Sequence, residues 1–222
     1  MSGLPEYPFN LKAIPRYVLT EGNGYSDKGQ KTEWATMKDG VLYVGSFGKE
    51  YTTPDGKLIT SRNNLWIKMI DAQGTVRSVD WSDNYNAMRR ATNTLFPGYL
   101  IIEALEWDGF HRQWVCLPRR VSLDPYDEDA DEKRGSNIMI RASEDFSAIL
   151  VMETGVLTPT RGFSSFKFLP GSRNQVILRH MFPALLIMLT MNSDYVSVLD
   201  NRRDQVRRRQ SRRYTKFIHY SK

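Results

Sequence analysis

Short apolar stretches alternate with turn residues along most of this chain. Eight of them are rich in β-branched and aromatic residues and are bounded by turn-forming residues, which is the pattern of β-strands. They are VLYVGS (41–46), LWIKMI (65–70), TVRSVDW (75–81), GYLIIEAL (98–105), RQWVCL (112–117), NIMIRAS (137–143), AILVMET (148–154) and SFKFL (165–169). The pattern predicts an all-β protein.

Helical spacing is scarce, and its best example is SDNYNAMRRATN at 82–93. Ser82 or Asp83 is a suitable N-cap, and Tyr85, Met88 and Thr92 fall roughly on one face of a helix. We therefore expect one short helix inserted among the strands.

A hairpin pattern recurs three times. Glu33 begins EWATM, which the turn KDG joins to VLYVG. Glu103 begins EALEW, which a DG turn joins to RQWVCL. Ser164 begins SSFKFL, which PGSRN joins to QVIL. Asp-Gly between two apolar runs is a strong hairpin signal. The heads are 70 and 61 residues apart, which is typical of four-stranded blades of a β-propeller that direct one oxygen ligand each to a central channel. An antiparallel sandwich with a polar residue at each strand head is the alternative.

Glu103 lies inside the apolar run GYLIIEALEW, residues 98–107. Burying an unpaired carboxylate costs several kcal/mol or more. Such a residue is usually tilted to solvent, paired with a base or bound to a metal, and all three options are open at this point.

The charge of the chain is concentrated at one end. The formal net charge is +6, and residues 178–222 contain ten Lys or Arg and three Asp. The preceding part of the chain is close to neutral, so the basic character belongs to a tail that includes RRDQVRRRQSRR at 202–213. We expect this tail to be disordered and solvated.

Composition excludes several classes of protein. A single cysteine, Cys116, excludes an internal disulfide and the usual cysteine-based zinc sites. The longest apolar run, 181–191, is interrupted by Pro183 and is too short to cross a bilayer. Neither a signal peptide nor a membrane span is predicted.

Five motifs occur in order in the central part of the chain. They are KTEWATMKDGVLYVGSFGKEYTT (31–53), SDNYNAMR (82–89), PGYLIIEA (97–104), RQWVCLPRR (112–120) and TRGFSSFKFLP (160–170). These closely resemble the calcium-dependent apyrases, the soluble calcium-activated nucleotidases of animals. The resemblance implies a five-bladed β-propeller with about three blades retained here, a central calcium ion, and hydrolysis of nucleoside di- and triphosphates such as UDP and GDP.

The resemblance also implies where the calcium ligands lie. By the family pattern they fall in the Glu-Trp motif, the Gly-Tyr-Leu-Ile-x-Glu motif and the first serine of Gly-Phe-Ser-Ser-Phe, which are Glu33, Glu103 and Ser164. Calcium prefers six to eight hard oxygen ligands. The resemblance thus favours a metal for Glu103.

Phosphate hydrolysis also needs cations for the phosphoryl oxygens and an oriented water. Lys49, Arg119 and Arg120 are the candidates for binding phosphate. A lysine contributes a positive charge, and an arginine guanidinium contacts phosphate in a bidentate manner. Glu50 is the candidate for orienting the water. The alternative for each is an exposed loop residue without a role in chemistry.

The resemblance divides the chain into three parts. Residues 1–13 form a segment foreign to the family, 14–177 a partial propeller truncated at both ends, and 178–222 a basic tail unlike the family. It implies a nucleoside diphosphate as the partner, a homodimer as the assembly, and the endoplasmic reticulum, Golgi lumen or extracellular space as the compartment.

A different class of function is the competing hypothesis. A partial propeller exposes strand edges that pair with another chain, and an arginine-rich tail attracts RNA or acidic surfaces. No aromatic residues are interleaved with the arginines, so we do not expect nucleic acid as a partner.

Overall fold

A computed structural model describes residues 15–168 and the strands at 175–180, 185–191 and 196–200. The predicted N-terminal segment 1–13 and the arginine-rich stretch 202–213 lie outside the described residues. Strands dominate the described part, as the apolar pattern predicted, and the all-β class is confirmed.

The first sheet has four antiparallel strands in the order β1-β2-β5-β6. Their bounds are Trp34–Lys38 for β1, Val41–Gly45 for β2, Trp66–Ile70 for β5 and Val76–Asp80 for β6. Asp39 and Gly40 join β1 to β2 with φ of 50° and 79°, the left-handed conformation that a two-residue hairpin requires. The predicted KDG hairpin is therefore confirmed. A short pair, β3 (Tyr51–Thr52) and β4 (Ile59–Ser61), extends from its loops.

The second sheet repeats this arrangement with β8, β9, β11 and β12. Their bounds are Ala104–Asp108, Gln113–Leu117, Ile138–Ser143 and Ile149–Glu153. A separate ladder pairs β7 (Tyr99–Ile101) with β10 (Arg120–Ser122). The predicted strand 98–105 is thus two strands, and the break falls at Ile102 and Glu103.

The third sheet is β13-β14-β15-β16, again antiparallel and sequential. It comprises Phe163–Phe168, Gln175–His180, Leu185–Met191 and Val196–Asp200. The predicted hairpin over PGSRN is confirmed, since β13 pairs with β14. The expectation of a disordered tail from residue 178 is wrong for residues 178–180, 185–191 and 196–200, because they belong to β14, β15 and β16. The aliphatic run at 185–191 has the composition of a strand.

The predicted helix is α1, Ser82–Ala91. Trp81 occupies the N-cap without a side-chain cap, and Asp80 accepts from the Ser82 backbone N–H instead (2.9 Å). Tyr85 and Met88 are buried, as the spacing predicted, and Arg89 is buried with them. A second helix, α2, is a single turn over Glu128–Asp131.

Two apolar cores fill the spaces between successive sheets. The larger one lies between the first two sheets and α1, where Trp81 contacts the rings of Trp34, Trp114 and Phe146 at centroid distances of 5.1–5.5 Å. Aromatic rings bury much area in such tilted and edge-to-face contacts. The smaller core lies between the second and third sheets and includes Phe163 and Phe166.

The first strands of the three sheets are neighbours, because β8 contacts both β1 and β13. Glu106 of β8 links them. It accepts hydrogen bonds from the Thr36 hydroxyl of β1 (2.6 Å) and from the Lys167 amine of β13, and Lys167 also donates to the Ala35 carbonyl (2.8 Å). Burial raises the pKa of Glu106, against the effect of Lys167. The first strands of the three sheets consequently lie side by side, with β8 in the middle.

Candidate functional site

Glu33 and Glu103 occupy equivalent places in their sheets. Glu33 directly precedes β1, and Glu103 directly precedes β8 in the break after β7. The backbone beside Glu103 is fixed, since the Ile102 N–H donates to the Phe47 carbonyl (3.0 Å) and the Arg119 N–H to the Ile101 carbonyl (2.8 Å). A carboxylate at a strand break can leave the apolar layers of the sheet, which explains how an acidic residue fits into this run.

Both carboxylates line the same two cavities. The larger cavity, of about 550 Å³, is also lined by cations and aromatic rings; its wall includes Lys31, Phe47, Lys49, Tyr51, Arg119 and Tyr126. The smaller, of about 200 Å³, continues along the first strands past Glu106, Ser165 and Lys167. The structure thus brings together Glu33, Glu103, Lys49 and Arg119 of the predicted site residues.

Each of the two carboxylates has a cation of this chain beside it. The Lys31 amine lies 3.0 Å from a Glu33 oxygen, and the Arg119 guanidinium donates to Oε1 of Glu103. The exposed fractions are 18% for the Glu33 side chain and 11% for that of Glu103, so both carboxylates are largely buried beside the cavity. Of the options for Glu103, pairing with a base is the one realised in this structure.

Lys49 is buried beside the rings of two tyrosines. Its amine donates to the Glu50 carbonyl (3.0 Å) and lies 4.3 Å from the Tyr126 ring centroid and 5.7 Å from that of Tyr99. Burial lowers the pKa of the Lys49 amine. A cation over aromatic faces is held in place by the quadrupoles of the rings. Lys49 is thus a positioned cation at the cavity.

Glu50 points away from this cavity and into the protein. Its two oxygens accept from the two terminal nitrogens of Arg89 at 2.8 and 2.6 Å. Burial opposes its ionisation, but the Arg89 hydrogen bonds hold the pKa of Glu50 below its ordinary value. With both oxygens engaged, Glu50 is placed to anchor the loop that carries Lys49, and this geometry does not favour the predicted role in orienting a water.

Arg120 and Ser164 line neither cavity. Arg120 is buried with its Nε 3.4 Å from an Asp131 oxygen, on the strand that pairs with β7. Ser164 lies at an irregularity in the register of β13 with β14, between Phe163 and Ser165. A bulge re-aims the neighbouring side chains, and Ser165 is the serine that borders the smaller cavity.

The apyrase family model matches residues 7–182. The chain belongs to the apyrase family. It is 44% identical over 167 residues to the soluble calcium-activated nucleotidase 1 of Rattus norvegicus, covering 75% of this chain and 41% of the relative.

Two apyrases of invertebrates give similar matches. The chain is 40% identical over 168 residues to apyrase apy-1 of Caenorhabditis elegans and 42% identical over 168 residues to an apyrase of Cimex lectularius. The matches cover 75% of this chain and 47% and 46% of those relatives. The chain therefore spans about half the length, or less, of the curated relatives it matches.

The family implies calcium, and the oxygen donors of this chain fit it in part. Glu33 and Glu103 offer hard carboxylate oxygens from two neighbouring strand heads to one cavity, which suits calcium in chemistry. They supply part of the six to eight oxygens that calcium needs. Among residues 15–168 no group of three or more His, Cys, Asp or Glu side chains is arranged to hold a metal. The residues fit calcium as two of its ligands.

Three residues that contribute to the site were not predicted from the sequence. Lys31 stands two residues before Glu33, and Tyr126 lies under Lys49 from a distant loop. Gly162 is the third, because a Cβ there would lie 1.9 Å from the Arg119 carbonyl oxygen. Of these, only Lys31 carried a local signal, as a cation on the approach to the strand head.

No helix in the described part of this chain is long and apolar enough to cross a membrane.

Proposed function

We propose that this chain carries part of the active site of a calcium-dependent apyrase, which hydrolyses nucleoside di- and triphosphates to the monophosphate and phosphate. The observation that carries the proposal is the 550 Å³ cavity in which two carboxylates from successive strand heads face Lys49 and Arg119. Cavities of this size take nucleotide-sized ligands. The names of the relatives, which are apyrases and calcium-activated nucleotidases, support it.

The residues divide into two roles. Glu33 and Glu103 would hold calcium, and calcium, when bound, would polarise the phosphoryl oxygens. Lys49 and Arg119 would neutralise the oxygens of the diphosphate, with Arg119 suited to a two-point contact. A water attacks the terminal phosphorus, the bond from that phosphorus to the bridging oxygen breaks, and the nucleoside monophosphate leaves with that oxygen.

The sheet arrangement supports a finer statement about the fold. Three consecutive four-stranded antiparallel sheets with neighbouring first strands are what three blades of a propeller would present. We propose that they are blades of a five-bladed propeller. An experimental structure in which their first strands do not surround one axis would contradict this.

Phosphate release from UDP tests the activity. We expect hydrolysis in calcium, none in excess EGTA, and at least a tenfold loss in Glu103→Gln. The matched control is Glu153→Gln, which removes an exposed carboxylate from β12, remote from the cavity lining. A rate of hydrolysis that EGTA does not change, or equal rates in the two variants, would refute the proposal.

Compartment and assembly rest on the family resemblance alone. A lumenal or extracellular location and a homodimer stay predictions. Protease protection of a tagged chain in microsomes tests the location, and degradation without detergent would contradict it. Light scattering on the purified chain tests the homodimer, and a monomeric mass would contradict it.

A further inference from the structure

Two ion pairs lie in the wall of the larger cavity. Lys31 pairs with Glu33, and Arg119 pairs with Glu103. All four border the same space. Each carboxylate that would bind calcium is therefore already paired with a basic side chain that would bind phosphate.

The two ion pairs can separate at a low cost in free energy. The side chains of Lys31 and Arg119 are 63% and 27% exposed, and each reaches its carboxylate through a single short contact. Pairs that are open to water contribute about 1 kcal/mol or less, so separating them is inexpensive. A divalent cation or a diphosphate offers either partner a stronger interaction than the one it loses.

The backbone beneath these side chains stays fixed during such an exchange. The Arg119 N–H is hydrogen-bonded to the Ile101 carbonyl (2.8 Å), and its carbonyl lies tightly against Gly162. The Glu33 N–H donates to the Gly45 carbonyl (2.9 Å). Only side-chain rotations are needed to pass from paired to ligand-bound states.

We propose that calcium and the nucleoside diphosphate bind cooperatively because each frees the binding partner of the other. When calcium binds Glu103 and Glu33, Arg119 and Lys31 lose their partners and can bind phosphate. When a diphosphate binds Arg119, Glu103 loses its partner and can bind calcium. The coupling is reciprocal, as thermodynamic linkage requires. This inference rests on the proposed function for its ligands, and its tests use binding rather than turnover.

The first experiment measures the affinity for the α,β-methylene analogue of UDP by calorimetry on the full chain in EDTA. Glu103→Gln frees Arg119, so the analogue binds about fivefold tighter or more than to the unaltered chain. Glu128→Gln is the matched control, since it removes the same charge from the same cavity wall without freeing Arg119. No binding in any variant, or a gain in Glu103→Gln no larger than in Glu128→Gln, overturns the inference.

The second experiment titrates calcium into Arg119→Gln without nucleotide. Removing the competitor for Glu103 should tighten calcium binding about fivefold or more. The control is Arg134→Gln, because the Arg134 guanidinium contacts Tyr99, Asp124 and the Pro125 carbonyl rather than Glu103, so calcium affinity should be unchanged. Calcium affinity that is unaltered or weaker in Arg119→Gln contradicts the exchange.

The two proposals fail in different ways. Absence of calcium binding in all variants would refute the calcium-dependent function, while the analogue comparison in EDTA still decides the exchange of partners. Melting curves of the four variants confirm that each is folded at the temperature of the titrations.

Discussion

Two glutamate–arginine pairs border the same loop region and differ in almost every respect. In Glu50–Arg89 the side chains are 6% and 1% exposed, and two parallel hydrogen bonds join them. In Glu103–Arg119 the corresponding values are 11% and 27%, and the contact uses one guanidinium nitrogen. The chemistry is the same, so the difference lies in the surroundings.

The comparison separates a fixed pair from an exchangeable one. A buried pair cannot lose one member without leaving an uncompensated charge, whereas a pair at a cavity wall can be rehydrated or re-paired. Glu50–Arg89 therefore ties the loop of Lys49 to α1, and Glu103–Arg119 is free to answer a ligand. In the sequence alone, Glu103 lies in an apolar run and Arg89 in a predicted helix, and neither pairing is visible.

Removing the buried arginine should have the largest effect on stability. We expect Arg89→Met to lower the free energy of unfolding by about 3–5 kcal/mol, because Glu50 would be left buried without its partner. Urea unfolding followed by tryptophan fluorescence measures this. The matched variant is Arg119→Met, and equal losses in the two would erase the distinction between the pairs.

Acid should weaken the buried pair next. The pKa of Glu50 in the folded state lies below its ordinary value, despite burial, because Arg89 donates to it. Its stabilising contribution is thus present above the unfolded carboxyl pKa and is lost as the pH falls through the folded one. The stability advantage of the unaltered chain over Glu50→Gln should shrink from pH 7 to pH 3; a constant difference would contradict the assignment.

Moving the backbone under Arg119 should have a moderate effect. A methyl group at Gly162 would overlap the Arg119 carbonyl, so we expect Gly162→Ala to cost about 1–3 kcal/mol and to displace Arg119 without altering any charge. Thermal unfolding measures the cost, with Gly40→Ala as a comparison in which a turn glycine has open space around its Cβ position. That control retains the strain of its positive φ, so only a larger loss at Gly162 supports crowding.

Neutralising the cavity carboxylate should change stability least. Glu103→Gln removes one member of a partly exposed pair, and the released Arg119 can be hydrated, so the expected change is about 1 kcal/mol or less. Chemical unfolding in calcium-free buffer makes this measurement. A loss comparable to that of Arg89→Met would mean that this pair, too, is a fixed part of the fold.

Local patterns predicted the hairpins and the helix because their determinants lie within a few residues. Asp39 and Gly40 encode a turn wherever they stand, and Tyr85 and Met88 mark a buried helix face at a fixed spacing. Glu33 and Glu103 could be selected because each heads a strand of a recurring unit.

The partners of these residues could not be predicted in the same way. Arg89 is 39 positions from Glu50, and Tyr126 reaches Lys49 from another sheet's loop. Such pairings depend on which loops meet once the sheets pack together, and no local pattern records that. Arg120 illustrates the consequence, because it is adjacent to Arg119 in sequence yet is buried beside Asp131 and does not line the cavity.

The link from Glu106 to Thr36 and Lys167 bears on how the chain assembles over time. Within each sheet, strands pair with partners that are closer along the chain, whereas these two hydrogen bonds join residues 70 and 61 positions apart. Contacts at long separation are entropically costly to form early in folding. Interactions absent from the transition state act mainly on the rate of unfolding. In stopped-flow kinetics Glu106→Gln should accordingly accelerate unfolding and leave the refolding rate nearly unchanged, which makes this junction a brake on the opening of adjacent sheets.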